Sequence, residues 1–376
     1  MFIVKCVVEI LFEKRRALEI IENSEKVLVA MSGGVDSAAA AVILINQGYR
    51  AEGLTFVLTD SMEADAKRAA AICEKLNIGH RTLDLRDVFE RKVRNLWAED
   101  YFEGRTPNPC VYCNREIKFG AVFEYARAEG FDKVATGHYC ELKKDADGVH
   151  LLCGDAAKDQ SYFLCDINPE NLEMAIFPLA GKNKDEIRAM VEFIGDDFAK
   201  TKDSQDICFV PDGDYAAELK KSEVAKKYPK AFEEGVFEKD GEVLAHHSGA
   251  VNFTIGQRKG TGIAYPLPLY VLSTDMGSGK VFMGTEDALM KDTVRCGKLN
   301  ILNNKSYEKA MESNSVYAKI RYSKKSYKVK NIAENGDGIT VVFDEKVRAA
   351  APGQWLVIYS DNECLGGAQI QIDILT

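Results

Sequence analysis

Several features that mark other classes of protein are missing from this chain of 376 residues. No apolar stretch approaches the roughly 20 residues needed to cross a bilayer, and the opening run is interrupted by Lys5 and Glu9. The ten cysteines do not form the dense, evenly spaced framework of a small secreted scaffold, so most should be free thiols. These absences predict a cytoplasmic protein with no membrane span and no cleaved signal.

An excess of positive charge is also missing. The 49 lysines and arginines are outnumbered by 58 aspartates and glutamates, which leaves a formal net charge of −9. This balance argues against an indiscriminate polyanion binder, although a local basic surface can still dock a nucleic acid. Composition therefore neither indicates nor excludes an RNA partner.

No internal repeat or low-complexity tract organises the chain, and its length exceeds that of one ordinary domain. From residue 27, short apolar runs alternate with helical segments, which indicates a parallel sheet covered by helices. Clustered glycines and prolines then mark a small turn-rich domain, and closely spaced strand candidates predict a C-terminal antiparallel β-barrel. We expect an N-terminal extension (1–24), an α/β catalytic domain (25–212), a central domain (213–285) and the barrel (286–376).

A glycine-containing loop follows the first predicted strand. Residues 27–30 lead into Ser32-Gly33-Gly34-Val35-Asp36-Ser37, and an alanine-rich helix begins there. Free backbone N–H groups and the helix dipole converge at such a junction, which predicts an anion site. The loop lacks the Gly-Lys-Ser/Thr ending of a Walker motif. It resembles the pyrophosphatase loop of the ATP-pyrophosphatase (PP-loop) superfamily, whose members cleave ATP between the α- and β-phosphates and adenylate a substrate oxygen.

A second unusual segment, residues 104–114, contains Pro107, Pro109, Cys110 and Cys113. The two prolines predict an irregular loop that passes into a helix near Asn114. A helix N-terminus lowers the pKa of a nearby thiol, so the pattern predicts a reactive thiolate at Cys113.

Together with residues 116–119, 135–139, 158–163, 202–209, 256–260, 352–354 and 364–367, this segment resembles the bacterial tRNA-specific 2-thiouridylases. The resemblance runs from about Val27 to the C-terminus. It implies that ATP, with Mg²⁺, is held by Ala30, Met31, Ser32, Gly33, Gly34, Val35, Asp36, Ser37, Phe56 and Gly137. It implies that tRNA is contacted by Asn108, Pro109, Cys110, His138, Lys158, Asp159, Gln160, Arg321, Tyr322 and Gln354. Cys113 matches the family's nucleophile, and Cys208 matches the cysteine that carries a persulfide.

The residues around Arg321 partly support an RNA surface without the resemblance. Lysines and tyrosines are interleaved between residues 317 and 330, a pattern that suits phosphate pairing and base stacking. A solvated sheet edge explains the same pattern, and the residues alone leave both interpretations open.

The chain departs from the family pattern at Cys110, where an aspartate is common; the segment after Phe56 is shorter than usual, and residues 1–24 are unmatched. The substitution creates a C-x-x-C unit of Cys110 and Cys113. With Cys208, three thiolates could hold a [4Fe–4S] cluster with one iron open to sulfide. Chance and a thiol relay without metal remain the alternatives.

The expected activity is ATP-dependent 2-thiolation of a tRNA uridine, at the wobble position by resemblance, through an adenylated uridine. The sulfur donor would be a sulfurtransferase, a persulfide relay protein or inorganic sulfide, and the free protein is expected to be a monomer. One rival is another PP-loop adenylating enzyme acting on tRNA or a small molecule. A rival of a different class is a non-catalytic iron–sulfur or redox sensor.

Overall fold

The computed structural model describes residues 25–155, 158–195, 207–210 and 213–372. The predicted extension at residues 1–24 therefore lies outside the described residues, as does most of the 202–209 motif. Within the described part of the chain, no helix has the length and apolarity that crossing a membrane requires.

The strands of the described residues follow in chain order. They are β1 (Lys26–Ala30), β2 (Arg50–Val57), β3 (Gly79–Asp84), β4 (Lys133–Ala135), β5 (Cys140–Asp145), β6 (Gly148–Cys153), β7 (Ala175–Ile176), β8 (Gly235–Lys239), β9 (Glu242–His247), β10 (Tyr270–Asp275), β11 (Lys280–Gly284), β12 (Met290–Cys296), β13 (Asn300–Ile301), β14 (Tyr317–Lys319), β15 (Tyr327–Asn335), β16 (Gly338–Arg348), β17 (Trp355–Ser360) and β18 (Glu363–Gln369).

The α-helices include two long segments interrupted by π-helical turns. They are α1 (Val35–Asn46), α2 (Glu63–Lys75), α3 (Arg86–Phe89), α4 (Asn95–Phe102), α5 (Pro109–Cys113), α6 (Val122–Ala128), α7 (Lys184–Val191), α8 (Tyr215–Lys220) and α9 (Asn304–Glu312). The π-helical turns Glu90–Arg94 and Asn114–Ala121 join α3 to α4 and α5 to α6. Short 3₁₀ helices are Asp60–Met62, Ser161–Leu164, Pro169–Glu173, Glu192–Ile194, Glu223–Lys227, Pro229–Phe232, Ala250–Asn252 and Glu286–Leu289.

The predicted parallel sheet has the strand order β3-β2-β1-β4-β7, with every neighbouring pair parallel. Val27, Leu28 and Val29 of the central strand β1 are fully buried, as expected for a strand covered on both faces. The alanines of α1 are fully buried as well, so this helix packs closely on the sheet. The order reverses between β1 and β4, and ligands of open α/β sheets bind at such a point, beyond the carboxyl ends of the strands.

The two later units are antiparallel-rich sheets, which confirms the predicted fold class. The central unit is a four-stranded sheet of order β10-β11-β8-β9, in which β8 and β11 run parallel. The C-terminal unit follows the path β12-β16-β15-β14-β17-β18-β6-β5, with β13 paired to β18.

The hairpin β5–β6 belongs to the C-terminal sheet, although sequence analysis places these residues within the catalytic segment. Cys364 on β18 pairs with Leu151 on β6, about 200 positions away in the chain. Because these residues follow β4 in the chain, we expected them in the catalytic domain. The hairpin instead pairs with β18 and covers its edge. This pairing attaches the barrel to the segment that follows β4.

Candidate active site

The phosphate loop is held by its own serines. The Ser37 hydroxyl donates to Gly34 O at 2.9 Å, and it also accepts from the Ser32 backbone N–H at 3.2 Å. Gly33 has φ +72°, and a Cβ there would lie 2.8 Å from Asp65 O, so only glycine fits. Gly34 is the N-cap of α1 and makes no side-chain cap hydrogen bond. The first N–H groups of α1 are therefore available to an anion such as a phosphate.

Asp36 is held beside this loop by two residues that sequence analysis missed. Lys184 Nζ lies 2.6 and 2.8 Å from the two carboxylate oxygens of Asp36, and the Tyr139 hydroxyl donates to Asp36 Oδ1 at 2.7 Å. Lys184 occupies the first position of α7, next to its N-cap Asn183. A lysine is disfavoured at a helix N-terminus by the dipole, and that mismatch was the available signal for a functional role.

The other residues expected to hold ATP also reach this edge of the sheet. A Cβ added to Gly137, which follows β4, would lie 3.6 Å from Asp36 Cβ, so the loop after β4 packs directly against the phosphate loop. Phe56 is half-buried near the carboxyl end of β2. Met31 is fixed after β1 by donating its N–H to Leu54 O at 2.8 Å. The ATP set is therefore assembled where the strand order reverses.

The helix carrying the cysteines begins earlier than predicted. Asn108 is its N-cap and accepts from the Cys110 N–H at 3.2 Å, and Pro109 occupies the first turn. From there α5, the π-helical turn and α6 run on without a break over residues 109–128, which we call the thiol helix. The prediction that the helix starts near Asn114 was wrong, since Asn108 and Pro109 form a complete start signal.

The predicted low pKa of Cys113 was also wrong. Cys113 is only 8% exposed, and burial raises the pKa of its thiol to about 12. Lys118 lowers this pKa, whereas the neighbouring thiols of Cys208 and Cys110 raise it. Because Cys113 lies beyond the first helical turn, the dipole acts on it weakly and burial dominates.

The positive charge of Lys118 acts on all three candidate sulfur-handling cysteines. Burial raises the pKa of Cys110 and that of Cys208, and Lys118 lowers both. Cys208 further raises the pKa of Cys110. The Cys208 residue is nevertheless exposed, so a donor can reach it from solvent.

These cysteines do not fit an iron–sulfur cluster in the observed conformation. A [4Fe–4S] centre needs three or four thiolates arranged around one set of irons. Among the residues for which coordinates are described, no group of three or more His, Cys, Asp or Glu side chains is arranged to hold a metal ion. The expected ligand set of Cys110, Cys113 and Cys208 is therefore not supported by the geometry.

A loop of the barrel, residues 352–354, hydrogen-bonds to the segment that leads into the thiol helix. Gln354 Nε2 donates to Thr106 O at 2.6 Å, and the Thr106 N–H donates to Pro352 O at 2.7 Å. Gly353, with φ +87°, packs so closely that a Cβ there would lie 2.9 Å from Arg105 Cβ. Gln354, expected to contact tRNA, thus binds the protein backbone in this conformation.

Tyr139 connects the phosphate loop with residues 158–160. Its N–H donates to Gln160 Oε1 at 3.0 Å, and Lys158 Nζ lies 5.1 Å from the centre of its ring. The Lys158 ammonium is buried and has no hydrogen-bond partner among the described residues, so it could bind an anionic ligand. Tyr139 therefore contacts both Asp36 and two of the residues expected to contact RNA, Lys158 and Gln160.

Asp159 lines a cavity of about 540 Å³ on the face formed by β6, β14 and β17. Lys319 Nζ lies 3.3 Å from Asp159 Oδ2 and 4.6 Å from the centre of the Tyr359 ring. Tyr322, 49% exposed, borders the cavity and packs against Phe163 at a ring-centroid distance of 4.5 Å. This combination of cation and aromatic rings suits a nucleotide. Lys319 belongs to the predicted basic stretch, whereas Tyr359 was not predicted.

The remaining predicted RNA contacts differ in exposure. Arg321 is exposed and donates to Arg348 O at 2.6 Å. This hydrogen bond orients its guanidinium, which stays accessible to a ligand from solvent. His138 is buried between Phe119 and Phe177, and its Nδ1 lies 2.8 Å from Thr136 Oγ1. Burial, aided by Lys118, lowers the pKa of His138, so it is neutral at pH 7. In this conformation His138 is a packing residue beneath the loop after β4 and is not exposed to an RNA ligand.

Comparison with known proteins covers all three units. Residues 25–212 match the tRNA methyl transferase HUP domain, residues 222–285 the tRNA methyl transferase PRC-barrel domain, and residues 291–370 the aminomethyltransferase beta-barrel domain. Among solved structures, a 4-thiouridine synthetase–RNA complex with bound ATP shares 20% identity at a TM-score of 0.34. It covers 49% of this chain and 44% of its own, a likeness too slight to bear on function.

Curated relatives match over nearly the whole chain. The tRNA-specific 2-thiouridylase MnmA of Acidithiobacillus ferrooxidans is 41% identical over 352 residues, covering 92% of this chain and 98% of its own. The protein of the same name from Rickettsia conorii is 40% identical over 367 residues, covering 94% and 97%. At this identity and coverage, the chain belongs to the tRNA-specific 2-thiouridylase family.

Proposed function

We propose that this chain catalyses ATP-dependent 2-thiolation of a tRNA uridine, at the wobble position. The observation that carries the proposal is the packing of the thiol helix beside the phosphate loop. The ring of Phe119 on the thiol helix lies 5.9 Å from the ring of His138, and the residue before His138, Gly137, packs against Asp36. This packing supports a reaction that couples adenylation to sulfur transfer, and the charge of Lys118, which acts on all three candidate cysteines and on His138, agrees with it.

In the first step, the uridine O2 attacks the α-phosphate of ATP-Mg²⁺, and pyrophosphate leaves. The free N–H groups at the start of α1, with Ser32 and Ser37, would bind the phosphates. Lys184 forms an ion pair with Asp36 in this structure; Asp36 is a residue that would hold Mg²⁺, and Lys184 would supply a positive charge beside the departing pyrophosphate. The products are pyrophosphate and a uridine whose C2 carries AMP as leaving group.

In the second step, sulfur replaces that AMP. The terminal sulfur of a Cys208 persulfide attacks C2, and AMP leaves. The thiolate of Cys113 then attacks Cys208 Sγ, which frees the thiolated base and leaves a Cys113–Cys208 disulfide for a thiol reductant. Exposure of Cys208 suits loading by a sulfurtransferase or a persulfide relay protein, and burial of Cys113 keeps its thiol protonated in the free protein.

The test combines the purified chain with ATP-Mg²⁺, unmodified tRNA and a persulfide-loaded sulfurtransferase. We expect 2-thiouridine at the wobble position, detected by mass spectrometry of tRNA nucleosides, together with stoichiometric AMP and pyrophosphate. Cys113→Ser and Cys208→Ser should each abolish thiolation, and Cys296→Ser in the barrel core should not. Thiolation that persists in Cys208→Ser would refute the persulfide step, and its absence in the unmodified chain would refute the activity.

A further inference from the structure

A cluster of four side chains ties the thiol helix to the barrel, and we call it the anchor cluster. Asp100 Oδ2 accepts from the Tyr112 hydroxyl and from Gln369 Nε2, the latter at 2.9 Å, while Asp100 Oδ1 accepts from Arg105 Nη1 at 2.6 Å. Gln369 also donates to the Tyr112 hydroxyl. The anchor cluster therefore joins α4, the thiol helix and the last barrel strand β18.

Burial makes these contacts costly to break. Asp100 and Tyr112 are both buried, and Trp355 covers the Tyr112 ring edge-on at 6.4 Å. Burial, together with the Asp100 carboxylate, raises the pKa of Tyr112, so its phenol stays protonated and donates. A buried donor or acceptor that loses its partner is costly, so the anchor cluster strongly favours one orientation of Tyr112.

The orientation of Tyr112 sets the direction of both thiols. Cys110 and Cys113 are three residues apart on one helix and so share a face, while Tyr112 projects from the same turn. Holding the phenol therefore fixes the rotation of α5 about its axis. None of the four anchor residues takes part in the contacts of Asp36, Lys184 and Tyr139 that support the phosphate loop.

We propose that Asp100, Tyr112 and Gln369 are positioning residues through which the barrel aligns the thiols of Cys110 and Cys113 for sulfur transfer. The proposal rests on the proposed function. Sulfur transfer needs the attacking sulfur in line with its target, and a misplacement of about 1 Å can cost on the order of a hundredfold in rate. Adenylation depends on the phosphate loop and should be insensitive to the anchor cluster.

The test compares Tyr112→Phe and Gln369→Leu in the full-length chain. We expect the kcat of thiolation to fall about tenfold, while the Kd for tRNA and the rate of tRNA-dependent pyrophosphate release change less than about twofold. The matched control is Tyr101→Phe. Tyr101 is next to Asp100 on α4, and its hydroxyl donates to Val251 O of the central unit at 2.9 Å, so the variant also removes one buried hydrogen bond. It should leave the kcat of thiolation unchanged.

A second measurement does not depend on thiolation. Iodoacetamide labelling of Cys113, followed by mass spectrometry, should be about fivefold faster in both anchor variants than in the unmodified chain or Tyr101→Phe. An unchanged kcat, or parallel losses of kcat, tRNA affinity and pyrophosphate release, would overturn the positioning role. If the unmodified chain thiolates no tRNA, the proposed function fails, and equal labelling in all variants would overturn the anchor separately.

Discussion

At the scale of single residues, Tyr139 contacts both the phosphate loop and the residues 158–160 that were expected to contact RNA. Its hydroxyl holds Asp36, its ring lies beside the ammonium groups of Lys158 and Lys184, and its backbone binds Gln160. Tyr139 therefore links the phosphate loop to residues 158–160 by direct contacts. Under the proposed function, RNA bound near residue 158 would act on the phosphate loop through these contacts of Tyr139.

The ion pair between Lys184 and Asp36 gives a prediction at this scale. Lys184→Met and Asp36→Asn should each slow ATP-dependent pyrophosphate release about a hundredfold, because each removes a charge beside the phosphates. The measurement is a coupled pyrophosphate assay with tRNA present. Lys67→Met, an exposed lysine on α2, is the matched control and should behave like the unmodified chain. Full activity of Lys184→Met would place the ATP phosphates elsewhere.

The raised pKa of Cys113 gives a second prediction. A thiol reacts as its thiolate, so a pKa of about 12 means that labelling still rises about tenfold per pH unit between pH 8 and 10. Glutathione, measured alongside, should level off over the same range because an unperturbed cysteine thiol ionises at a pH of about 8.5. Peptide mapping after iodoacetamide treatment of the free protein reports both. A plateau for Cys113 below pH 9 would show that its pKa is not raised.

At the scale of elements, the thiol helix depends on a short start signal. Asn108 caps it, Pro109 supplies a preset φ for the first turn, and the π-helical turn Asn114–Ala121 carries Lys118 towards the cysteines. Two contacts from the loop 352–354 hold the segment in front of the cap. The start of the thiol helix is thus fixed by one cap and by the contacts of the loop 352–354.

Removal of that cap is the prediction for this element. Asn108→Ala should destabilise the helix start by about 1 kcal/mol, because the Cys110 N–H loses its acceptor. Hydrogen exchange at the Cys110 amide should then be roughly fivefold faster. Asn108→Asp keeps an acceptor and adds a favourable charge at the helix start, so it should exchange like the unmodified chain. Equal exchange in Asn108→Ala would mean that the cap is dispensable.

At the scale of the whole molecule, a protein of net charge −9 presents a local basic surface on the barrel. Lys324 borders the 540 Å³ cavity, and Lys328 lies 4.9 Å from the centre of the half-exposed Tyr317 ring. Such a surface would allow local phosphate contacts with an RNA partner although the net charge is negative.

Salt dependence tests this surface. Lys324→Glu combined with Lys328→Glu should weaken tRNA binding and reduce the slope of log K against log salt by about 1–2, because two phosphate contacts are lost. Binding is measured by filter retention between low and moderate salt. The double variant Lys226→Glu and Lys227→Glu makes the same charge change on exposed residues of the central unit and should keep the slope. An unchanged slope in the barrel variant would support a merely solvated sheet edge.

Local chemistry was enough to predict the phosphate loop and the order of its elements. Strand, glycine turn and helix are consecutive in the chain, so β1, Gly33 and α1 follow from apolar pattern and backbone geometry alone. The parallel sheet was predictable for the same reason. The start of the thiol helix is also determined by a local signal, Asn108 followed by Pro109. It was not predicted because both prolines were assigned to a loop, although proline is compatible with the first turn of a helix.

Interactions between distant segments were decided only by the tertiary structure. Lys184 meets Asp36 across 148 positions, Gln354 meets Thr106 across 248, and the hairpin β5–β6 joins a sheet completed by β18. The pKa of Cys113 belongs to the same class, because burial by non-local packing outweighs the helix dipole that the sequence suggested. Periodicity reports which face of an element is buried, whereas its partner depends on how the elements pack, and that choice lies outside any local pattern.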